Sequence, residues 1–386
     1  MKELLDIIER VFRRLIVYPL LRLVFRNPVS EAPLNLQTVH RILIFRFDRI
    51  GDMILTTPVL RALKRRNPAL RIGVIASRVN KEILAGNPYV DDVYILETGT
   101  RSLIAQFRHI RRQRYDVVLN FVFNRTTSPG IMANVLSPKG FKVGQGPDRY
   151  AFYFNRLLKL PRFERHMVEI LKSFIEQVFG FELAEEELEP GVFIPEMSRR
   201  KVDRFLKDQC ICRRSLNGAD FKPFLVLNLS VKDVDRRFST VQAVALARSM
   251  TEIRDLKTVL LVAPGDEDTE KMIEAGSGFD DCIVYRTDGE MPLSQLASLI
   301  EGAVAVVTMD TSIVHFASAT HTPVLAFYTE LALMKEWAPF GVPHEMLMAP
   351  SGRTISSIPV GILAKKADAF IRTIVSELKK EIGRNS

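Results

Sequence analysis

Cysteine is nearly missing from this chain of 386 residues, which holds three: Cys210, Cys212 and Cys282. Three thiols give no even-numbered disulfide framework, and the chain reads as a protein of a reducing, cytoplasmic setting. No Cys/His cluster has the spacing of a structural zinc site. No GxGxxG follows the opening strand of either half and no GxxxxGK[ST] occurs, which argues against a hydride-transfer enzyme and a P-loop ATPase. Uncharged apolar runs of about 20 residues are also lacking, so no transmembrane span is expected. The amino-terminal stretch has no small-residue cleavage site of the kind that ends a secretion signal.

What is abundant is apolar and basic. A hydrophobic content of 47% over this length supports two cores rather than one. The formal net charge of +9 favours an anionic partner. The basic residues cluster: seven Lys/Arg and no acid lie between Arg61 and Lys81, and five Arg and no acid between Arg101 and Arg114. In residues 1–27, Leu4, Leu5, Ile8, Val11, Phe12, Leu15 and Ile16 keep helical spacing, with Arg10, Arg13 and Arg14 interleaved. This pattern reads as an interfacial helix suited to an anionic membrane leaflet, or as a helix packed on its own domain or another subunit.

From residue 40, short β-branched runs alternate with amphipathic helices, the mark of a parallel sheet covered on both faces. Strands are predicted at Arg41–Phe47, Arg71–Ala76, Val93–Leu96, Asp116–Phe121 and Phe141–Val143. The alternation breaks over 183–222, where an acidic run (Glu185, Glu186, Glu187, Glu189) and two prolines intervene. It resumes with strands at Phe224–Leu229, Thr258–Ala263, Cys282–Tyr285, Ala303–Thr308 and Val324–Tyr328. The expected organisation is an extension over 1–39, a Rossmann-like domain over 40–190, a linker region over 191–222, a second Rossmann-like domain over 223–356 and a closing helix in 357–386. Doubly wound sheets bind ligands at the carboxyl ends of their strands, so two of them facing each other would hold two substrates in one cleft.

Chemistry is then sought at the strand-to-helix turns. In RILIFRFDRIGDMILTTPVL a buried-type strand runs into Asp48-Arg49-Ile50-Gly51-Asp52. Thr57-Pro58 is a cap and first-turn pair, which predicts that the helix starts or restarts there and leaves Asp52 in a turn facing the cleft. Asp52 also suits a helix N-cap. In VVTMDTSIVHFASA a strand ends at Asp310, and Thr311, Ser312 and Ile313 open a helix whose free amides can grip a pyrophosphate. His315 lies on the same face one turn in, as a donor-side group or a packing residue. Between the two turns, residues 228–239 carry Lys232, Arg236 and Arg237, adjacent guanidiniums that would neutralise a departing diphosphate. Asp233-Val234-Asp235 and Asp266-Glu267-Asp268 are residue types that also ligate a divalent cation.

These segments, in this order and spacing, resemble glycosyltransferase family 9, the ADP-heptose:lipopolysaccharide heptosyltransferases. The likeness covers about residues 40–380 and rests on Gly51-Asp52 with Pro58 after it, on Arg236-Arg237-Phe238 and on Asp310-Thr311-Ser312-Ile313-Val314-His315. Weaker echoes are His166-Met167-Val168-Glu169 and Lys142-Val143-Gly144. The chain departs from the pattern at Ser312, where glycine is usual, at Phe238, where tryptophan is usual, and at Arg236, where lysine is commoner.

The resemblance implies a GT-B fold, two Rossmann-like doubly wound domains facing across a cleft, and inverting sugar transfer without a metal or other cofactor. It implies Asp52 as general base and Arg236 as the cation on the donor phosphate. Thr311, Ser312 and Ile313 become the pyrophosphate-binding helix start, with Arg237, Asp310 and His315 beside it. Glu267 and Met291 fall at ribose- and base-contacting positions, and Arg46, Arg49 and Gly51 lie on the acceptor side. The expected partners are a nucleotide-sugar donor, ADP-heptose by resemblance, and an anionic glycolipid or glycan acceptor. The expected location is the cytoplasmic face of the bacterial inner membrane, held peripherally. Nucleic acid is not expected, because neither RNA-stacking aromatics nor a DNA-reading element accompanies the arginines. The alternatives are a GT-B sugar-nucleotide epimerase and a non-catalytic protein that binds sugar nucleotides or nucleic acid.

Overall fold

The computed structural model describes residues 16–25, 27–96, 100–123, 127–214, 221–253, 255–275, 279–286 and 292–385. The predicted helix over residues 1–15 and the predicted contact residue Met291 lie outside them.

Among the described residues, thirteen strands fall into two sheets. The first contains β1 (Arg41–Phe45), β2 (Arg71–Ala76), β3 (Asp92–Ile95), β4 (Val117–Asn120), β5 (Phe141–Gln145) and β6 (Arg156–Leu158), in the spatial order β3-β2-β1-β4-β5-β6. The second contains β7 (Ile211–Cys212), β8 (Lys222–Asn228), β9 (Lys257–Leu261), β10 (Ile283–Tyr285), β11 (Val306–Met309), β12 (Val324–Tyr328) and β13 (His344–Met348). Its order is β10-β9-β8-β11-β12-β13, with β7 paired to the start of β8. Both sheets thus repeat the 3-2-1-4-5-6 order of a dinucleotide-binding fold, and every pairing is parallel.

The helices in chain order are α1 (Tyr18–Val24), α2 (Ile50–Arg66), α3 (Thr100–Arg112), α4 (Thr127–Leu136), α5 (Met167–Phe179) and α6 (Glu196–Asp208). They continue with α7 (Thr240–Thr251), α8 (Glu267–Ala275), α9 (Leu293–Gly302), α10 (Ser312–Ala319), α11 (Leu331–Glu336) and α12 (Val360–Asn385). Among the described residues no helix is long and apolar enough to cross a membrane.

Strand alternation decides what each face packs. In β1, Leu43 and Phe45 join Ile110 of α3 and Ala133 of α4 in one cluster. Ile42 and Ile44 point the other way, into a cluster with α2 and α5. That second cluster continues without a break into Phe224, Val226, Val259 and Val306 of the second sheet and into Phe316 of α10. Leu225, Leu227 and Leu260, on the far face of the second sheet, pack with residues of α7 and α12.

The stretch 191–222, read as a linker, carries α6 and β7 and reaches the second half through Arg213, which donates to Ser298 O at 2.9 Å. Three strands escaped the sequence reading. β6 has three residues and begins with an arginine, β7 has two, and β13 is a half-exposed edge strand whose apolar positions show no clean alternation.

One expectation is corrected by α2, which begins at Ile50 with Arg49 as its N-cap residue and runs straight through Pro58. Proline cannot donate to the carbonyl four residues earlier, normally a reason for a helix to break there. Here the Thr57 hydroxyl donates to that carbonyl, Ile54 O, at 2.7 Å. Asp52 is therefore in the first turn of the helix, neither in a preceding loop nor at the N-cap.

Candidate active site

The carboxyl end of β1 delivers Arg46, whose guanidinium is buried and organises everything around it. Its Nε donates to the Asp52 carbonyl at 3.0 Å, and its Nη1 donates to the carbonyl of Phe121 and, at 3.2 Å, to Asp48 Oδ2. Nη2 stands 3.2 Å from Asp52 Oδ1, close enough for an ion pair yet not aligned as a hydrogen bond. A single cation thus lies between two carboxylates, those of Asp48 and Asp52. Asp48 feels the arrangement: burial pushes its carboxyl up to about 6, with Arg46 opposing and Asp52 adding to the shift. Asp52 itself is nearly enclosed, and its carbonyl also accepts from Thr56 Oγ1 at 2.8 Å. The turn is fixed from the side by Asn80, which donates to Arg46 O at 2.9 Å.

In the second half, β11 ends at Met309 and the chain turns through Asp310 into α10. Thr311 is the N-cap, its hydroxyl accepting from Ile313 N at 3.3 Å. That hydroxyl also accepts from Asn228 Nδ2 of β8 at 3.4 Å, and the same amide donates to Thr308 Oγ1 at 3.0 Å. Thr311 O takes the Val314 amide at 3.2 Å, so of the first-turn amides that of Ser312 has no partner among the described residues. Arg236 reaches this corner, pairing with Asp310 Oδ2 at 2.7 Å. Burial pushes the Asp310 carboxyl upward, while Arg236 and, from the first half, Arg49 pull it back.

Arg236 and Arg237 do not form one patch. A short turn over Val234–Arg236 sends them apart. Arg237 donates to Val231 O at 2.8 Å and pairs with Asp266 at 3.1 Å and Asp268 at 3.4 Å. Burial alone would raise Asp266, but hydrogen bonds from Thr269 and Ser230 and the charge of Arg237 bring it below the ordinary carboxylate range. Both acidic clusters of the sequence are thus engaged by arginines, because Asp233 also stands 3.4 Å from Arg236 Nε. Glu267 is exposed at the start of α8, 3.5 Å from Lys271. Phe238 is buried edge-on to Phe327, with ring centroids 5.3 Å apart.

The two corners meet. The imidazole of His315 is buried over the Cα of Gly51 and edge-on to Trp337 at 5.9 Å. Burial pushes this ring down to about 3, so it is neutral. Around the meeting point the halves are tied by contacts that the sequence did not announce. Glu336, fully buried, is clasped by Arg162 through Nε and through Nη2 at 3.0 Å, and accepts from Phe163 N at 3.3 Å. His166 accepts from Val168 N at 3.2 Å to cap α5, meets Ala338 O at 3.0 Å through Nε2 and stacks on Phe340. Glu82 accepts from Leu293 N at 2.8 Å, capping α9 from the other half. Of these, only His166 was singled out in the sequence.

Two Rossmann-like halves whose strand ends face each other, each with a charged strand-to-helix corner at the meeting line, define the GT-B class of glycosyltransferases. Comparison with known proteins agrees. The model of "Glycosyltransferase family 9 (heptosyltransferase)" matches residues 103–354, and the chain belongs to that family. It is 22% identical over 304 residues to "Lipopolysaccharide heptosyltransferase 3" of Escherichia coli (strain K12), covering 74% of this chain and 82% of that one. It is 20% identical over 304 residues to "Lipopolysaccharide core heptosyltransferase OpsX" of Haemophilus influenzae, covering 77% and 81%. Among solved structures, a family 9 glycosyl transferase from Veillonella parvula superposes with a TM-score of 0.72 at 18% identity, over 89% of this chain and 100% of that one. The E. coli ADP-heptose lps heptosyltransferase II does so at 0.67 and 18% identity, over 86% and 99%.

Proposed function

We propose that this glycosyltransferase moves a heptose or closely related sugar from a nucleoside-diphosphate donor, ADP-heptose, onto a hydroxyl of an anionic, lipopolysaccharide-core-type acceptor. The anomeric centre is inverted without a metal ion, at the cytoplasmic face of the membrane. Asp52 accepts the proton of the attacking hydroxyl. Its carboxylate is held by the helix turn and by Arg46, so it needs no reorganisation as the proton arrives. The bond to the diphosphate breaks on the opposite side of the sugar, and the leaving charge meets Arg236 and the amide end of α10. Arg49, exposed beside Asp52, supplies a cation for the acceptor's anionic groups.

The observation that carries this reading is the contact of Gly51 with His315, which brings the residue beside Asp52 and the first turn of α10 against each other. Further support comes from the relatives named as lipopolysaccharide heptosyltransferases. The test is Asp52→Asn. Transfer is expected to fall by about 10²- to 10⁴-fold while affinity for the nucleoside diphosphate is kept. Transfer at the parental rate would remove Asp52 from the mechanism. Unchanged turnover in a chelator is expected as well, and inhibition reversed by magnesium would overturn metal independence.

A further inference from the structure

The first half carries a solvent-facing surface that its own core does not account for. Helix α1 is held along one edge. Tyr18 Oη lies 3.0 Å from Thr127 Oγ1, and the Tyr18 ring packs on Tyr150 and Phe152. The Arg22 guanidinium lies over Phe152, and Phe25 packs on Tyr153. Just after the helix, Asn27 donates to Asn134 Oδ1 at 2.9 Å and to Phe152 O at 3.1 Å. With that edge fixed, the opposite edge presents Ile16, Leu20, Leu23 and Val24, which are 47%, 58%, 71% and 70% exposed. Their spacing of i, i+4, i+7 and i+8 is that of a single stripe, of the kind a globular protein normally turns to its core.

On the far side of α4 from it lies a cationic stripe. Helix α3 buries Ile110 against the first sheet and turns Arg101, Ile104, Arg108, Arg111 and Arg112 to solvent. Residues of α4 pack in the same cluster as α3, and α4 begins at Thr127, where Tyr18 is anchored, so both stripes lie over one face of the first sheet. No Asp or Glu occurs in residues 16–30 or 100–115. An apolar stripe flanked by arginines without acids matches one environment in particular, the boundary between acyl chains and anionic headgroups.

We propose that this face seats the enzyme on an anionic bilayer, with Leu20, Leu23 and Val24 entering the headgroup boundary and the arginines of α3 resting on lipid phosphates. The proposed function supplies the reason for being there, a lipid-linked acceptor. The binding itself rests on these two stripes alone.

The experiment is sedimentation of the full chain with vesicles of phosphatidylcholine, with and without phosphatidylglycerol, alongside transfer to a delipidated, soluble acceptor. Partition onto phosphatidylglycerol vesicles is expected to fall at least tenfold in Leu20→Asp/Leu23→Asp. In Arg108→Glu/Arg111→Glu/Arg112→Glu the preference for the anionic lipid should vanish. Both variants should keep the parental melting temperature and transfer to the soluble acceptor. Parental partition in both variants would overturn the proposal, as would equal binding of the parent to both vesicle types. A change from oligomer to monomer in Leu20→Asp/Leu23→Asp with vesicle binding intact would instead mark the stripe as a contact between copies, and would overturn it too. Loss of sugar transfer in the parent with anionic vesicle binding retained would strike the proposed function and leave this surface standing.

Discussion

The Cα of Gly51 lies directly beneath the imidazole of His315, so close that a β-carbon there would stand 2.3 Å from Cδ2 and 3.0 Å from Nε2. Contact between the two halves at the cleft thus depends on the absence of one methyl group. The ring cannot swing aside freely, because it is buried and Trp337 packs against it.

Gly51→Ala is accordingly expected to push α2 and α10 apart and to destabilise the protein by about 1–3 kcal/mol, the usual cost of overpacking. Transfer should fall with it, because Asp52 is the next residue along. Adding His315→Ala to Gly51→Ala should restore part of both, a coupling that melting curves and kcat/KM in a double-mutant cycle would expose. Additive effects would show that the clash is not the cause.

Arg236 and Arg237 are expected to behave differently although they are neighbours. Arg236→Ala removes a cation from the start of α10 and should weaken nucleoside-diphosphate binding by about tenfold or more, the worth of a charge-assisted hydrogen bond. Arg237→Ala leaves Asp266 without its counter-charge and should lower the melting temperature with a smaller effect on binding. Titration calorimetry with ADP, run beside thermal melts, separates the two. The reverse pattern would reassign the donor cation.

Stability should decline on mild acidification. Burial pushes His166 down to about 4 and His315 down to about 3 from an ordinary 6.5. The unfolded chain takes up these protons near pH 6.5 and the native chain does not. Their contribution is therefore complete above pH 6.5 and is lost progressively as the pH falls toward 4 and 3. Asp48 acts in the opposite sense, since burial raises it to about 6 and the native state binds its proton first. Burial raises Asp310 in the same sense, but Arg236 and Arg49 hold it back, so the two rings outweigh the two carboxyls and the melting temperature is expected to drop between pH 6.5 and 4. His166→Gln, which keeps a donor toward Ala338 and cannot titrate in this range, should flatten that slope. A slope unchanged in His166→Gln would place the acid sensitivity elsewhere.

Glu336 joins the halves through a buried carboxylate clasped by Arg162. Glu336→Gln leaves the largely enclosed Arg162 guanidinium without its counter-charge and should cost about 2–3 kcal/mol. Double replacement to a well-packed apolar pair should cost less. Chemical denaturation of the single and double variants would check the order, and equal losses would show that the charge pairing is incidental.

Much of this architecture can be read along the chain, and the failures have physical causes. β1 and β11 are apolar runs buried on both faces, so their hydrophobicity alone marks them, and the turns that follow carry Gly51-Asp52 and Asp310-Thr311. β13 alternates poorly because it is an edge, and β6 is too short to show a period. Pro58 misplaced the start of α2 because a threonine hydroxyl, whose partner is invisible in sequence, satisfies the carbonyl that proline abandons. Arg236 and Arg237 read as one patch because adjacency says nothing of direction. Glu336 and Asp48 gave no signal at all, since what distinguishes them is burial beside partners, Arg162 from 174 residues away in one case and Arg46 with Asp52 in the other.

The pairing of Arg236 with Asp310 means that the cation at the helix start already has a resident counter-ion. If the donor diphosphate binds Arg236 as proposed, it must displace that carboxylate, which burial already raises and which would then face fresh negative charge. A proton from solvent would neutralise it. On the proposed function, donor capture at this corner would be an exchange of anions accompanied by proton uptake, tying the enzyme's grip on its nucleotide to the acidity of its surroundings.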